Sequence, residues 1–72
     1  MSKEEFESLD IEELIPLLKT KLKISEKVEK ILRVEEINGA ALMTYSAEQL
    51  RADYKIPGGP ATNIVQFISK LS

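Results

Sequence analysis

Carboxylates and lysines are the main side chains in this sequence that could do acid–base chemistry near neutral pH. The 72 residues include 12 Asp and Glu but no histidine and no cysteine. The commonest general base is therefore missing, and so are thiolate nucleophiles and cysteine-ligated zinc. A Ser-His-Asp or Cys-His arrangement cannot form within this chain. We expect no catalytic residues, no metal site, no cofactor and no enzymatic activity.

The remaining reactive side chains also have plainer interpretations. Glu48 and Asp53 are the acids nearest a predicted turn, but the sequence supplies neither a paired base nor a metal partner for them. Tyr45 and Tyr54 could be phosphorylated, although their positions favour a hydrophobic staple and the edge of a core. An enzyme or small-ligand carrier would need a cleft, for which so short a chain has little room. A domain that works by surface contact is the better hypothesis.

Length and composition predict one small globular domain. The chain is 43% hydrophobic with a net charge of −2, which gives it no overall attraction to nucleic acid. Its apolar runs are too short for a signal peptide or a membrane span. The absence of cysteine agrees with an intracellular, cytoplasmic location, without excluding the nucleus.

Helix signals follow one another along most of the chain. Asp10 with Glu13, and Ser46 with Gln49, have the spacing of capping boxes, and Ser25 can cap a further helix. The apolar spacing then predicts an all-α, compact five-helix bundle with a long C-terminal helix. The predicted segments are 11–22, 26–33, one turn at 40–43, 47–54 and 60–71. Residues 1–8 are predicted to be a flexible acidic lead-in to a domain at 9–72.

Glycine and proline mark two connections. Asn38-Gly39 predicts a sharp turn, and the cluster Pro57-Gly58-Gly59-Pro60 predicts the end of one helix and the start of the last. Proline suits the first turn of a helix because its missing N–H would have no partner there.

Three segments, taken in order, resemble the sterile alpha motif (SAM) domain family. They are Leu9-Asp10-Ile11-Glu12-Glu13-Leu14, Ile37-Asn38-Gly39-Ala40-Ala41-Leu42-Met43, and the step from Leu50 to Gly59 before the final helix. The similarity covers about residues 9–71. The sequence departs from the family pattern at Leu9 and Leu17, where tryptophan is frequent. It also departs at Pro60-Ala61-Thr62-Asn63, where the family often has basic residues.

The resemblance implies a protein–protein interaction module, within a larger signalling or scaffold protein, that pairs with itself or with another SAM domain. SAM domains commonly associate head to tail, an acidic mid-loop surface of one meeting the start of the last helix of the next. By this resemblance the mid-loop surface comprises Glu35, Glu36, Glu48 and Asp53. The end-helix surface comprises Lys55, Gly58, Gly59, Pro60, Ala61, Thr62 and Asn63.

Both surfaces also have a structural interpretation. The four acids could simply be a solvated face, and the Pro-Gly cluster could only delimit helices. With Lys55 as its one formal charge, the end-helix surface would bind through shape and backbone N–H groups. This predicts a weak homo-oligomer whose association is less sensitive to salt than that of strongly charged relatives.

A basic stretch from Lys19 to Arg33 offers an alternative function. It contains six cations, Lys19, Lys21, Lys23, Lys27, Lys30 and Arg33, and two carboxylates. Some SAM domains bind RNA hairpins through basic residues, so RNA binding is the second hypothesis. No aromatic residues are interleaved for base stacking, and acid–base pairing on a solvated face explains the pattern equally well. Nucleic acid is therefore the less favoured partner.

Overall fold

Six helices and no strand form the structure, a computed structural model that describes residues 1–72. This confirms the all-α prediction. The body measures 27 × 21 × 19 Å. Its helices are α1 (Lys3–Glu7), α2 (Ile11–Leu22), α3 (Glu26–Val34), α4 (Gly39–Leu42), α5 (Ala47–Tyr54) and α6 (Gly58–Ser69).

The first helix is the element that the sequence prediction of five helices lacks. Ser2 caps α1 and forms a capping box with Glu5. Phe6 is fully buried, and its ring lies 6.2 Å from that of Phe67 on α6, centroid to centroid. Residues 3–7 of the expected lead-in are therefore helical. The helix was missed because Phe6 is the one apolar residue among its five positions, and a single apolar residue gives no helical stripe.

Side-chain caps explain where most of the helices begin. The predicted capping boxes at Asp10 and Ser46 are both present, and α2 and α5 have the predicted bounds. Ser25 caps α3, and the side chain of Asn38 accepts a hydrogen bond from the Ala41 N–H in α4. Only α6 begins without a side-chain cap. It starts two residues before the predicted position because the two glycines ahead of its proline are already helical.

Gly39 is required for close packing rather than for a turn. No glycine in the chain has a positive φ, so the left-handed freedom of glycine is not used here. A Cβ atom on Gly39 would overlap the carbonyl oxygen of Phe6. The Gly39 N–H also donates to the Leu9 carbonyl, at 2.9 Å. The interpretation of this glycine as a turn residue was therefore wrong, and α1 packs directly on α4.

The core draws on all six helices and on the connections between them. Thirteen apolar residues are buried, and no polar or charged residue is. Ile64 on α6 is fully buried, while Ile68 and Leu71 pack against the core in partly buried positions. Helix α6 packs on α5 and on α2. Its opposite side is exposed to solvent.

We expect Gly39→Ala to destabilise the domain by at least about 1–3 kcal/mol, because its methyl group must displace backbone rather than a flexible side chain. Gly59→Ala is the matched control, since a Cβ atom there meets nothing within 4 Å. Urea denaturation of both variants measures the difference in the free energy of unfolding. Equal stability of Gly39→Ala and wild type would contradict the close-packing explanation.

Candidate interaction surfaces

The four acids of the mid-loop surface all lie exposed at the ends of α3 and α5. Glu35 is the C-cap of α3 and Glu36 follows it, whereas Glu48 is in the first turn of α5 and Asp53 near its end. None of the four forms a salt bridge. Their carboxylates are therefore free to attract a cationic or N–H-rich surface.

A hydrogen-bonded tyrosine pair lies near two of these acids. The Tyr54 hydroxyl donates a hydrogen bond of 2.9 Å to the Tyr45 hydroxyl, and the rings are 5.1 Å apart. This hydrogen bond, together with burial and the nearby charges of Asp53 and Glu35, raises the pKa of Tyr54 to about 12. Both carboxylates raise the pKa of the same phenol, so the end of α3 and the end of α5 are both acidic on the side of Tyr54.

Glu36 belongs to a different part of the surface. With Asp10 and Glu12 it lines a shallow depression at the start of α2. Its backbone is left-handed, with φ 54°, in a turn that ends α3. The Glu36 N–H donates to the Arg33 carbonyl and the Ile37 N–H to the Leu32 carbonyl, which is the Schellman pattern. The acids around this depression form no group that could hold a metal ion.

The end-helix surface is organised by the uncapped start of α6. Pro57 occupies the N-cap position and offers no side-chain hydrogen bond, and Pro60 has no N–H. The first bond of the helix runs from the Ala61 N–H to the Pro57 carbonyl, at 3.0 Å. The N–H groups of Gly58 and Gly59 therefore have no acceptor within the chain. Such groups, at the positive end of a helix dipole, attract anions.

Arg51 is a residue of this surface that sequence reasoning missed. A Cβ atom on Gly58 would lie 3.5 Å from the Arg51 Cδ and 3.9 Å from a guanidinium nitrogen. The side chain of Arg51 thus lies over the first residue of α6, although in the sequence it stands between the mid-loop acids Glu48 and Asp53. The expectation of one cation, Lys55, was therefore too low. The sequence feature that could have indicated this is the short connection between α5 and α6, because it keeps the last turn of α5 close to the first turn of α6.

Other members of the predicted end-helix surface point in different directions. Ala61 is fully buried, so its side chain cannot contact a partner and does not belong to the end-helix surface. Gly59 and Thr62 are exposed. Asn63 is also exposed, but it faces the α2 side of α6, where it shares a groove with Leu22.

The basic stretch does not form one cationic face. Glu29 binds Lys19 at 2.6 Å and Arg33 at 3.0 Å, and Arg33 also pairs with Glu12. Hydrogen bonds from Lys19 and then Arg33 lower the pKa of Glu29. Lys21, two residues after Lys19, lies about 200° further round the helix and so on another side. These pairings weaken the argument for RNA binding.

Comparison with protein families identifies the bundle. A family model described as a SAM-like domain matches residues 1–70. The chain belongs to the SAM-like domain family. The resemblance found in the sequence is thereby confirmed, and the match extends through α1. No curated protein and no solved structure matches the chain.

Membership of this family suggests a protein-interaction module, because SAM-like domains are generally interaction modules and not enzymes. None of the six helices has the length and apolar character needed to cross a membrane.

Alkaline pH should weaken the fold through Tyr54. Its pKa of about 12 in the folded chain exceeds its ordinary value of about 10, so the unfolded chain loses the proton first. The stability contributed by Tyr54 is therefore complete below about pH 10 and is lost as the pH rises to about 12. Tyrosinate absorbance in Tyr45→Phe, which leaves Tyr54 as the only tyrosine, should show its pKa returning towards 10. An unchanged high pKa in this variant would contradict the role of the hydrogen bond.

Glu36→Gly should keep or increase stability while it removes one mid-loop carboxylate. Glycine adopts the left-handed conformation without the steric cost of a Cβ atom, which is about 1 kcal/mol. Urea denaturation measures this effect, with Glu48→Gly, in the helical first turn of α5, as the control that should lose stability. Destabilisation of Glu36→Gly as large as that of Glu48→Gly would contradict the argument.

Proposed function

We propose that this SAM-like domain binds a second copy of itself, or another SAM domain, head to tail. The mid-loop surface of one domain would meet the end-helix surface of the next. The observation that supports this most directly is the start of α6, where two free N–H groups lie beside Arg51. Such a module would serve a larger signalling or scaffold protein as the part that assembles.

The two surfaces have complementary electrostatics. Glu35 and Asp53 supply unpaired carboxylates around the tyrosine pair. The start of α6 supplies backbone donors, and a carboxylate oxygen binds two adjacent N–H groups well. Because the two surfaces are different, each copy keeps one free surface of each kind after pairing. An arrangement of this kind either closes into a ring or continues as an open chain.

Arg51 alters the salt dependence expected from the sequence. A guanidinium can form two parallel hydrogen bonds with a carboxylate, so it adds a screened charge–charge attraction to the backbone contacts. We therefore expect association to weaken measurably with salt, and Arg51→Gln to reduce this dependence. The Arg51 guanidinium lies beside Gly58, so a single carboxylate of the partner could bind both the guanidinium and the free N–H groups of Gly58 and Gly59.

Gly59→Glu should weaken association by about tenfold or more, because a carboxylate at this position repels the acids of the neighbour. The fold should survive, since a side chain at Gly59 meets open space and an acid suits the first turn of a helix. Thr20→Glu, on the exposed side of α2, adds the same charge as a control. Sedimentation at increasing concentration and at two salt levels measures the association of each.

These measurements distinguish a wrong end-helix surface from a wrong proposal of association. If Gly59→Glu associates as strongly as wild type, the end-helix surface is not used. A wild-type chain that remains monomeric at millimolar concentration, and binds no other SAM domain, would overturn the proposal as a whole.

A further inference from the structure

A shallow groove runs between the C-terminal end of α2 and the exposed side of α6. Its volume is about 200 Å³, enough for a side chain but not for a helix. The partly buried side chains of Leu22 and Phe67 form its apolar part. Asn63, Gln66 and Lys70 complete the lining, and no carboxylate lines the groove.

This groove continues the end-helix surface. Gly59, Asn63, Gln66 and Lys70 follow one another at spacings of four, three and four residues, which places them along one side of α6. That row is about 16 Å long at the rise of an α-helix. Asn63 belongs to both regions, so a partner seated on the start of α6 would lie directly beside the groove.

One cation lines the groove, and two more lie next to one of its residues in the sequence. Lys70 lines it, and Lys21 and Lys23 flank Leu22 in the sequence. None of these three lysines forms a salt bridge. An apolar floor beside unpaired cations fits a segment in which an apolar side chain lies next to carboxylates.

The chain exposes one segment of that composition. Val34 is 67% exposed and is one of only two large hydrophobic residues exposed in the structure, the other being Met1. Glu35 and Glu36 follow it directly, both exposed and unpaired. The neighbouring cation Arg33 is already paired with Glu12 and Glu29. Lys30, which lines a depression with Val34, forms no salt bridge, so the negative charge of the segment comes from Glu35 and Glu36.

Resting on the proposed head-to-tail association, we infer that the groove receives residues 34–36 of a second copy of this chain. Val34 packs between Leu22 and Phe67, and the following carboxylates bind Lys70. The mid-loop surface then contacts α6 along its side as well as at its start. Lys70 then adds a third cation for the mid-loop carboxylates to Arg51 and Lys55 at the start of α6.

The proposal favours a protein partner over a polyanion because of the two apolar side chains. RNA or an anionic membrane would engage the lysines alone, and Val34 would have no role in such binding. The contribution of Val34 therefore distinguishes this proposal from any purely electrostatic one.

Sedimentation of Val34→Thr and Lys70→Glu tests the inference. Val34→Thr keeps the shape of the side chain but loses its apolar character, so we expect association about tenfold weaker. Lys70→Glu should weaken it at least as much, because it places like charges together. The controls are Val34→Ile, which stays apolar, and Lys27→Glu, which makes the same charge change outside the groove. Helical circular dichroism confirms that each variant is folded.

Mixing the two variants gives a sharper result. The Val34→Thr chain keeps an intact groove, and the Lys70→Glu chain keeps an intact Val34. An equimolar mixture should therefore form a 1:1 complex of wild-type affinity, although neither chain associates well alone. Failure of the mixture to associate would overturn the inference.

Parallel measurement of Gly59→Glu separates the two proposals. If Gly59→Glu weakens association while Val34→Thr does not, residues 34–36 do not occupy the groove, and the end-helix proposal stands alone. If Lys70→Glu weakens association and Val34→Thr does not, the lysine acts by charge only and the inference is wrong. If the wild type fails to associate, both proposals fail.

Discussion

The contact between Gly39 and the backbone of Phe6 and Leu9 is the constraint on which the arrangement of this domain depends. No side chain fits at Gly39, and the Gly39 N–H donates to the Leu9 carbonyl. This contact seats α1 on α4, and α1 in turn directs Phe6 towards Phe67 on α6. A hydrogen bond of 3.0 Å from the Lys3 N–H to the Ser72 carbonyl joins the two ends of the described chain. The final helix is thus held against the first one.

The start of α6 differs electrostatically from the other helix starts. Five of the six helices satisfy an early N–H group with a serine, aspartate or asparagine side chain from their own segment. Helix α6 begins with proline and two glycines and has no such group. Each of those caps binds only the third N–H group of its helix, and α6 has a proline at that position. What distinguishes α6 is that its first turn carries no carboxylate, unlike those of α1, α2, α3 and α5. With Arg51 beside it and no acid in its first turn, the start of α6 suits an anionic partner best among the helices of eight or more residues.

Local signals account for what the sequence predicts well. The bounds of α2 and α5 follow from capping boxes, which specify a first residue and depend on side chains only three positions apart. Helix α1 has a capping box too, but with Phe6 as its single buried residue it shows no periodicity to reveal it. Gly39 was misinterpreted because a glycine is equally compatible with a positive φ and with a close backbone contact. Only the fold distinguishes the two.

The candidate surfaces depend still more on tertiary structure. The exposure of the mid-loop acids follows from their positions outside the apolar stripes, but the gathering of Glu35 and Asp53 around Tyr54 requires the packing of α3 and α5. The burial of Ala61 and the position of Arg51 over Gly58 could not be derived from spacing alone. Both depend on the packing of α6 against its neighbours.

Three residues at helix ends, Lys23, Glu36 and Lys55, hold left-handed backbone conformations that glycine would adopt more easily. All three carry a charge, and two of them belong to the surfaces predicted to meet. Each of these helix ends therefore bears a steric cost that glycine would avoid, and each keeps a charged side chain on the surface. At Glu36 and Lys55, a glycine that relieves the backbone would also remove a charge from a surface predicted to bind a partner, whereas Lys23 carries no such conflict.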